Sequence, residues 1–208
     1  MLSDNVSLLE ALAATRERGY AFEDDGLLAT AQSALKAEAE QLSLESIDQD
    51  TVPIRAKTVS EVRQRLARAC AAPGDPSFAT AAALAATMAA AIKEIAPQLP
   101  ELAGWSATEL CYQLYRDSSE RVSPHRDPKT YQLLGVTITI AGMTRIRIFE
   151  PLGAPNDYTK LRPADEYIAR PGSMMFLRST GFGTGERIIH EALPPEHGSR
   201  LILNLRLR

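Results

Sequence analysis

The sequence predicts an α+β fold, with helices first and a β-sandwich or barrel after them. Three observations carry this expectation. Apolar residues recur at helical spacing through the first hundred residues. Beyond residue 110 the period shortens to two, and Gly or Pro separates the short alternating runs. The chain has 208 residues, 45% apolar and 24% charged, which is the size and composition of one globular domain. That composition excludes disordered, collagen-like and disulfide-framework classes. No repeat or linker divides the chain. Residues 1–208 are therefore expected to form a single domain, with 1–104 as mainly helical support and 105–208 as the β core.

The elements follow in order. Val6 to Arg18 has helical spacing, with Ser3 and Asp4 as possible caps. Tyr20-Ala21-Phe22 after Gly19 reads as a short strand. Gly26 to Leu42 reads as an amphipathic helix. Residues 43–57 are polar and irregular, either a lid or a long connection. Thr58 to Ala71 is expected to be helical, capped by Ser60 and stopped by Ala-Pro-Gly-Asp-Pro. Phe78 to Ala96 is an alanine-rich helix ended by Pro97. Six strands are expected after it: Leu110–Tyr115, Leu134–Ile140, Arg145–Phe149, Glu166–Ala169, Ser173–Leu177 and Leu201–Leu207. Trp105 is expected where the helices meet the sheet, with Tyr112 as packing and Arg126 as structural.

Charge and cysteine content narrow the function. Overall there are 23 basic and 26 acidic residues, which excludes a generally basic nucleic-acid binder. The balance is uneven, however. Residues 1–111 carry 9 Lys/Arg against 16 Asp/Glu, and residues 112–208 carry 14 against 10. Positive charge in the second half suggests an anionic ligand there. The N-terminal Met-Leu-Ser-Asp-Asn has no basic stretch followed by an apolar one, so no signal peptide is read. The uncharged run Pro76 to Ile92 is mostly alanine and short for a membrane span. A cytoplasmic protein is expected, with Cys70 and Cys111 as plain core thiols.

The chemistry centres on histidine. His125 stands in Ser-Pro-His-Arg-Asp, giving His-x-Asp with Asp127. In extended chain such a pair shares one face. His190 follows 63 residues later, at the end of an expected strand. Two imidazoles and a carboxylate make the facial set that suits non-haem Fe(II) and leaves three positions open. A lone His-x-Asp is common in surface loops and carries little weight by itself. His197, in Pro-Pro-Glu-His-Gly, reads as a solvated loop residue. The last strand adds to the case. Leu201, Leu203, Leu205 and Leu207 define one face, and Arg200, Ile202, Asn204 and Arg206 the other. If the leucines pack under the helices, both arginines point inward, where a buried guanidinium needs an anion. A bidentate carboxylate is the natural one. The alternative is a strand with a solvent-facing arginine row. Arg145 and Arg147 share a face with Phe149, and fit either an acidic substrate or an exposed edge.

Together these residues resemble the Fe(II)/2-oxoglutarate-dependent dioxygenase superfamily. The resemblance rests on His125-x-Asp127, then His190, then Arg200 ten residues on. The Arg200-x5-Arg206 spacing is similar to the AlkB-like branch, as is Gln113-Leu-Tyr115 to that branch's Asn-x-Tyr segment. Leu133-Leu-Gly135-Val and Pro171-Gly172-Ser-Met-Met-Phe-Leu also fit. Gln113 replaces the expected Asn, and Tyr115 is one residue farther from the histidine than usual. The resemblance covers about residues 105–208. It implies a double-stranded β-helix, or jelly roll, with N-terminal helices packed on one sheet. It also implies Fe(II) on His125, Asp127 and His190. The far carboxylate of 2-oxoglutarate would lie on Arg200, with Arg206 near its metal-side carboxylate. Tyr115, Gln113 and Asn204 would line the co-substrate, and O2 would take the last metal position. Hydroxylation of a C–H bond through a ferryl intermediate, releasing succinate and CO2, is the implied reaction. Tyr131, Thr137 and Thr139 are candidates for the substrate pocket. A small-molecule substrate is expected first. An AlkB-like demethylase of nucleic-acid bases is the alternative, set back by the acidic helical half with its few aromatics. A non-catalytic jelly-roll binding module comes last. The membrane is not expected as a partner, and the oligomeric state is left open.

Overall fold

The computed structural model describes residues 1–4, 7–49, 63–153 and 160–208. Helix α1, Leu8–Arg18, starts with Ser7, rather than Ser3 or Asp4, at its cap position; Ser7 makes no side-chain cap bond. It ends at Gly19 in the left-handed region, φ +99°, where glycine carries no Cβ penalty. Strand β1, Tyr20–Glu23, follows as expected. Helix α2 is confined to Ala29–Ala39. Strand β2 is Glu45–Gln49 and β3 is Gln64–Ala71.

These two strands correct the sequence reading twice. The expected helix over Thr58 to Ala71 is an extended strand from Gln64 onward, and part of the polar segment 43–57 pairs with it. The remainder of both segments, including Ser60, lies outside the described residues. The run Gln64-Arg-Leu-Ala-Arg-Ala-Cys-Ala71 fits either period. Pairing on both sides decides for the strand, because β3 bonds to β2 and to β4. Tertiary pairing overrides the helix propensity of alanine and arginine.

Helix α3, Ala79–Ile95, follows a short 3-10 turn over Pro76–Phe78. Pro76–Ile95 is long and apolar enough to cross a membrane. In this fold it turns Ala81, Leu84, Ala85, Met88 and Ile92 into the core. The later strands are β4 Glu109–Tyr115, β5 Val122–His125, β6 Gln132–Ala141 and β7 Thr144–Pro151. They continue with β8 Leu161–Ala169, β9 Met174–Arg178, β10 Ile189–Ala192 and β11 Arg200–Leu207. All six expected strands are present, most of them a residue or more longer. Gly142 makes the β6–β7 turn at φ +73°, and a Cβ there would meet the carbonyl oxygen of Ser199 at 2.1 Å.

The strands form one curled antiparallel array in the order β1-β9-β6-β11-β4-β3-β5-β10-β7-β8, with β2 added beside β3. Alternation along the strands sorts the side chains into two populations. On the outer face, Leu110, Tyr112, Val136, Ile138, Phe176, Leu201, Leu203 and Leu205 join the three helices in the largest core cluster. Inside the curl lie two smaller clusters. One is Ile47, Leu66, Tyr115, Val122 and Ile202; the other includes Ile146, Ile148, Met175 and Leu177. The leucine face of β11 therefore packs under the helices, and the arginine face looks inward. Helices and sheet are also pinned by polar groups. Glu38 of α2 accepts from the backbone N–H of Thr80 (2.5 Å) and Ala81 (3.0 Å) at the start of α3, and from the Tyr112 hydroxyl (2.8 Å). The Trp105 indole donates to Leu134 O at 2.8 Å, where helices meet sheet.

Cys70 and Cys111 are not separate thiols. They are Cα partners across β3 and β4 and are joined as a disulfide on the inner face. Their 41-residue separation and the helical reading of Cys70 conceal this in the sequence. Arg145 and Arg147 lie outside, paired with Glu166, Glu191 and Glu196. They form an ion-paired row on the outer face of an interior strand, away from the cavity lining.

Candidate metal and co-substrate site

The inward face of β11 and the neighbouring strand ends surround a cavity of about 700 Å³. Its chemistry is built on β5, β10 and the segment just after β5. His125 closes β5 and is the Cα partner of His190 on β10. The two rings tilt together with centroids 4.4 Å apart. Asp127 sits just past the strand. It is fixed there because Arg187 donates to its carbonyl oxygen, and Arg126 donates to Arg187 O at 2.7 Å. The Arg126 side chain thus ties the His-x-Asp segment to the approach to β10.

Nε2 of His125 lies 3.7 Å from Asp127 Oδ1, and Nε2 of His190 lies 4.0 Å from the same oxygen. The donor atoms of all three residues fall within 4.8 Å of one another. Each imidazole turns Nδ1 toward a backbone oxygen two residues back: Ser123 O at 2.8 Å and Ile188 O at 3.4 Å. A proton on Nδ1 leaves the Nε2 lone pair free for a cation, which is the usual outer support of a metal-binding histidine. Burial and the neighbouring His125 push His190 down to about 3, so it is neutral at ordinary pH and its lone pair is available. Asp127 is held well below the usual carboxylate range. Burial alone would raise it, but the Arg206 charge and the two histidines outweigh that.

Arg206 Nη2 stands 3.1 Å from Asp127 Oδ2, in ion-pair contact but not aligned as a hydrogen bond, so that oxygen has no hydrogen-bond donor. The guanidinium also donates to Val136 O at 3.1 Å and to the Thr137 hydroxyl at 3.4 Å. It lies against Gly135, where a Cβ would come within 2.9 Å of Nη1. A glycine is what lets it approach the β6 backbone this closely. Arg206 thus braces the aspartate as well as facing the cavity.

Arg200 is 1% exposed. Its Nη2 donates to Thr139 Oγ1 at 3.4 Å, and its Nε and Nη1 have no hydrogen-bond partner. Burial lowers its pKa to about 10. A buried cation with two unpartnered nitrogens and no counter-charge calls for an anion such as a carboxylate. Tyr115 covers this end of the cavity, with the guanidinium 5.5 Å from its ring centre. Its hydroxyl donates to Gln113 Oε1 at 3.0 Å.

Of the remaining candidates, Asn204, Thr137 and Tyr131 line the cavity, while Thr139 is not among its lining residues. Asn204 and Thr137 face each other inside, the hydroxyl donating to Asn204 Oδ1 at 2.6 Å. Thr139 is buried beneath Arg200 and serves its guanidinium. Tyr131 stands at the rim, bonded to Glu109 at 2.8 Å. His197 is exposed, as a loop histidine should be. Sequence reasoning missed the contribution of β3, which adds Gln64, Leu66 and Arg68 to the cavity wall. The alternation of those three residues was the available signal.

No family model and no curated protein matches the chain in sequence. Solved structures do match in shape. A prolyl-4-hydroxylase from Pseudomonas putida superposes with a TM-score of 0.64 at 18% identity, covering 98% of this chain and 100% of that one. A prolyl hydroxylase from Trichoplax adhaerens, in complex with a hypoxia inducible factor peptide fragment, gives 0.63 at 10%, with 95% and 87% covered. The non-haem alpha-ketoglutarate-dependent epimerase SnoN from nogalamycin biosynthesis gives 0.63 at 18%, with 94% and 80% covered. The chain therefore has the double-stranded β-helix fold of 2-oxoglutarate/Fe(II) oxygenases.

Proposed function

We propose that this protein is an Fe(II)- and 2-oxoglutarate-dependent oxygenase that hydroxylates a C–H bond of a small molecule. The observation that carries the reading is a coincidence of two half-sites in one cavity. A His125–Asp127–His190 donor cluster and the buried guanidinium of Arg200, two of whose nitrogens lack a partner, line the same cavity. The donor set, two imidazole nitrogens and one carboxylate oxygen, fits Fe(II). The buried guanidinium of Arg200, without a counter-charge, fits the far carboxylate of 2-oxoglutarate. Bound Fe(II) with 2-oxoglutarate and O2 supplies the C–H oxidation, with succinate and CO2 as products.

The protein's own residues supply placement. His125 and His190 present Nε2, each held by a backbone carbonyl at Nδ1. Asp127 is kept ionised by Arg206, so no proton must leave it when a cation arrives. Arg200 anchors the co-substrate, oriented by Thr139, while Tyr115 and Ile202 keep water from that end. Asn204 and Thr137 line the path between. Tyr131 and the β3 wall bound the space left for substrate. Hydroxylation of prolyl residues and epimerisation by proteins of this shape support a reaction at a C–H bond. The epimerase supports a small-molecule substrate in particular.

Metal binding tests the first half-site. Titration with Mn(II), which stands in for Fe(II) without oxidising, should show one site per chain. Asp127→Ala and His190→Ala should each abolish it while circular dichroism stays unchanged. Retention of that site in either variant would place the metal elsewhere.

A further inference from the structure

We propose that the β3–β4 wall of the cavity binds an oxyanion on the substrate, a carboxylate or phosphate, through Arg68 and Gln113. This rests on the oxygenase reading and names its substrate class as an organic acid.

Side chains of β3 alternate. Leu66 packs inside the barrel against Tyr115 and Ile202, and Cys70 is bonded to Cys111 on the same inner face. Arg68 lies between them, and it lines the cavity. Its Cα partner on β4 is Gln113. Gln113 also lines the cavity, and its Oε1 is taken by the Tyr115 hydroxyl, which leaves its amide N–H groups as donors for a ligand. A guanidinium and an amide thus stand side by side with hydrogens to give.

The cations of the cavity can be matched to anions one by one. Arg206 faces Asp127, and Arg208 is paired with Glu109. Arg200 is committed to the co-substrate. Arg68 has no ion-pair partner among the described residues. Glu45 is its Cα partner on β2 but is not in ion-pair contact with it. Position separates this cation from the co-substrate. Arg68, Gln113 and Ile202 form one row across β3, β4 and β11, next to the row of Leu66, Tyr115 and Arg200. Two strand spacings lie between β3 and β11, roughly 10 Å at about 4.8 Å each. A carboxylate held at Arg200 would therefore leave Arg68 for a second ligand.

The test loads the full-length protein with Zn(II), a diamagnetic stand-in for Fe(II), and with 2-oxoglutarate, and titrates it separately with inorganic phosphate and with acetate. The readout is the side-chain Nε–H signals of 15N-labelled arginine. Saturable binding of at least one anion is expected in the millimolar range, and which one binds identifies the oxyanion. Arg68→Ala should weaken it by at least about tenfold, the loss of one charge-assisted bond of about 1.5 kcal/mol. Arg68→Lys should keep part of it, and the affinity for 2-oxoglutarate should be unchanged in both variants. Absence of saturable binding, or equal binding by Arg68→Ala, overturns the proposal. So does a loss of 2-oxoglutarate affinity matching the loss of anion affinity, which would make Arg68 part of the co-substrate site. Failure of the oxygenase reading shows separately, as wild-type protein that does not bind 2-oxoglutarate. The anion titration is then repeated without it.

Discussion

Arg206 illustrates how one side chain serves two neighbours in this cavity. Its guanidinium reaches Asp127 on one side and the β6 backbone at Val136 on the other. Truncation to alanine would leave a buried carboxylate without its cation, and breaking such a pair costs about 3–5 kcal/mol. Part of that appears as a raised proton affinity of Asp127, and proton and metal compete for the same oxygen. Arg206→Ala is therefore expected to weaken Mn(II) binding, and to do so most at low pH. The measurement is Mn(II) affinity between pH 6 and pH 8 for both proteins; an unchanged pH profile would show that Asp127 does not need this partner. The resemblance led to Arg206 beside the co-substrate carboxylate. Its contact with Asp127 was not legible, because nothing in a linear sequence brings β11 against the segment after β5. By contrast, the inward direction of Arg200 and Arg206 was legible from leucine alternation alone. Alternation has one solution once a helical layer covers one side.

At the scale of elements, the clearest successes and the clearest failure share a cause. Strands β6, β7 and β11 alternate or carry β-branched runs, and β4 and β9 are short apolar runs, so their place in the sheet matches the sequence pattern. Segment 64–71 has arginine and alanine where a strand would show valine or isoleucine. Its propensity points to helix, and only pairing with β2 and β4 makes it a strand. The disulfide was lost with it, since Cys70 meets Cys111 only in that register. Elsewhere a polar side chain does work that periodicity does not reveal. Glu38 caps the first turn of α3 and holds Tyr112 at once. Burial and the Glu38 contact push the Tyr112 hydroxyl far up, so it stays a neutral donor. Glu38→Ala leaves two backbone N–H groups and a hydroxyl short of an acceptor. Each unsatisfied buried group costs about 1–3 kcal/mol, with solvent recovering some. A loss of roughly 2–4 kcal/mol is expected in urea unfolding, with Glu38→Gln intermediate. Loss under about 0.5 kcal/mol, the ordinary range of surface substitutions, would mean that water replaces the carboxylate.

For the whole molecule, charge distribution bears on which substrates can approach. The acidic first half supplies much of the helical layer, while the cavity carries Arg68, Arg200, Arg206 and Arg208. Asp127 and Glu109 in the same cavity offset Arg206 and Arg208, which leaves Arg200 and Arg68 to attract a small anion rather than a broad basic surface to hold a polyanion. If the substrate is a small acid, salt should change its affinity only modestly. A protein neutralising several phosphates would show a log–log slope near −0.7 to −0.9 for each. Fluorescence anisotropy with single-stranded DNA and RNA across a salt series checks this. Weak binding is expected, whereas tight, steeply salt-dependent binding accompanied by base demethylation would favour the AlkB-like reading.

If the cavity takes Fe(II) on His125, Asp127 and His190 and 2-oxoglutarate on Arg200, as proposed, succinate formation tests both half-sites together. Wild-type protein with Fe(II) should release succinate from 2-oxoglutarate in proportion to enzyme. Arg200→Ala leaves the far carboxylate without its partner, a loss of about 3–5 kcal/mol, or roughly two to three and a half decades in affinity. Half-saturating 2-oxoglutarate should rise at least about a hundredfold while iron content is unchanged. Arg200→Lys should recover only part, because a point charge replaces a planar fork. Iron-loaded wild type that forms no succinate, or Arg200→Ala with wild-type dependence on 2-oxoglutarate, would contradict the account.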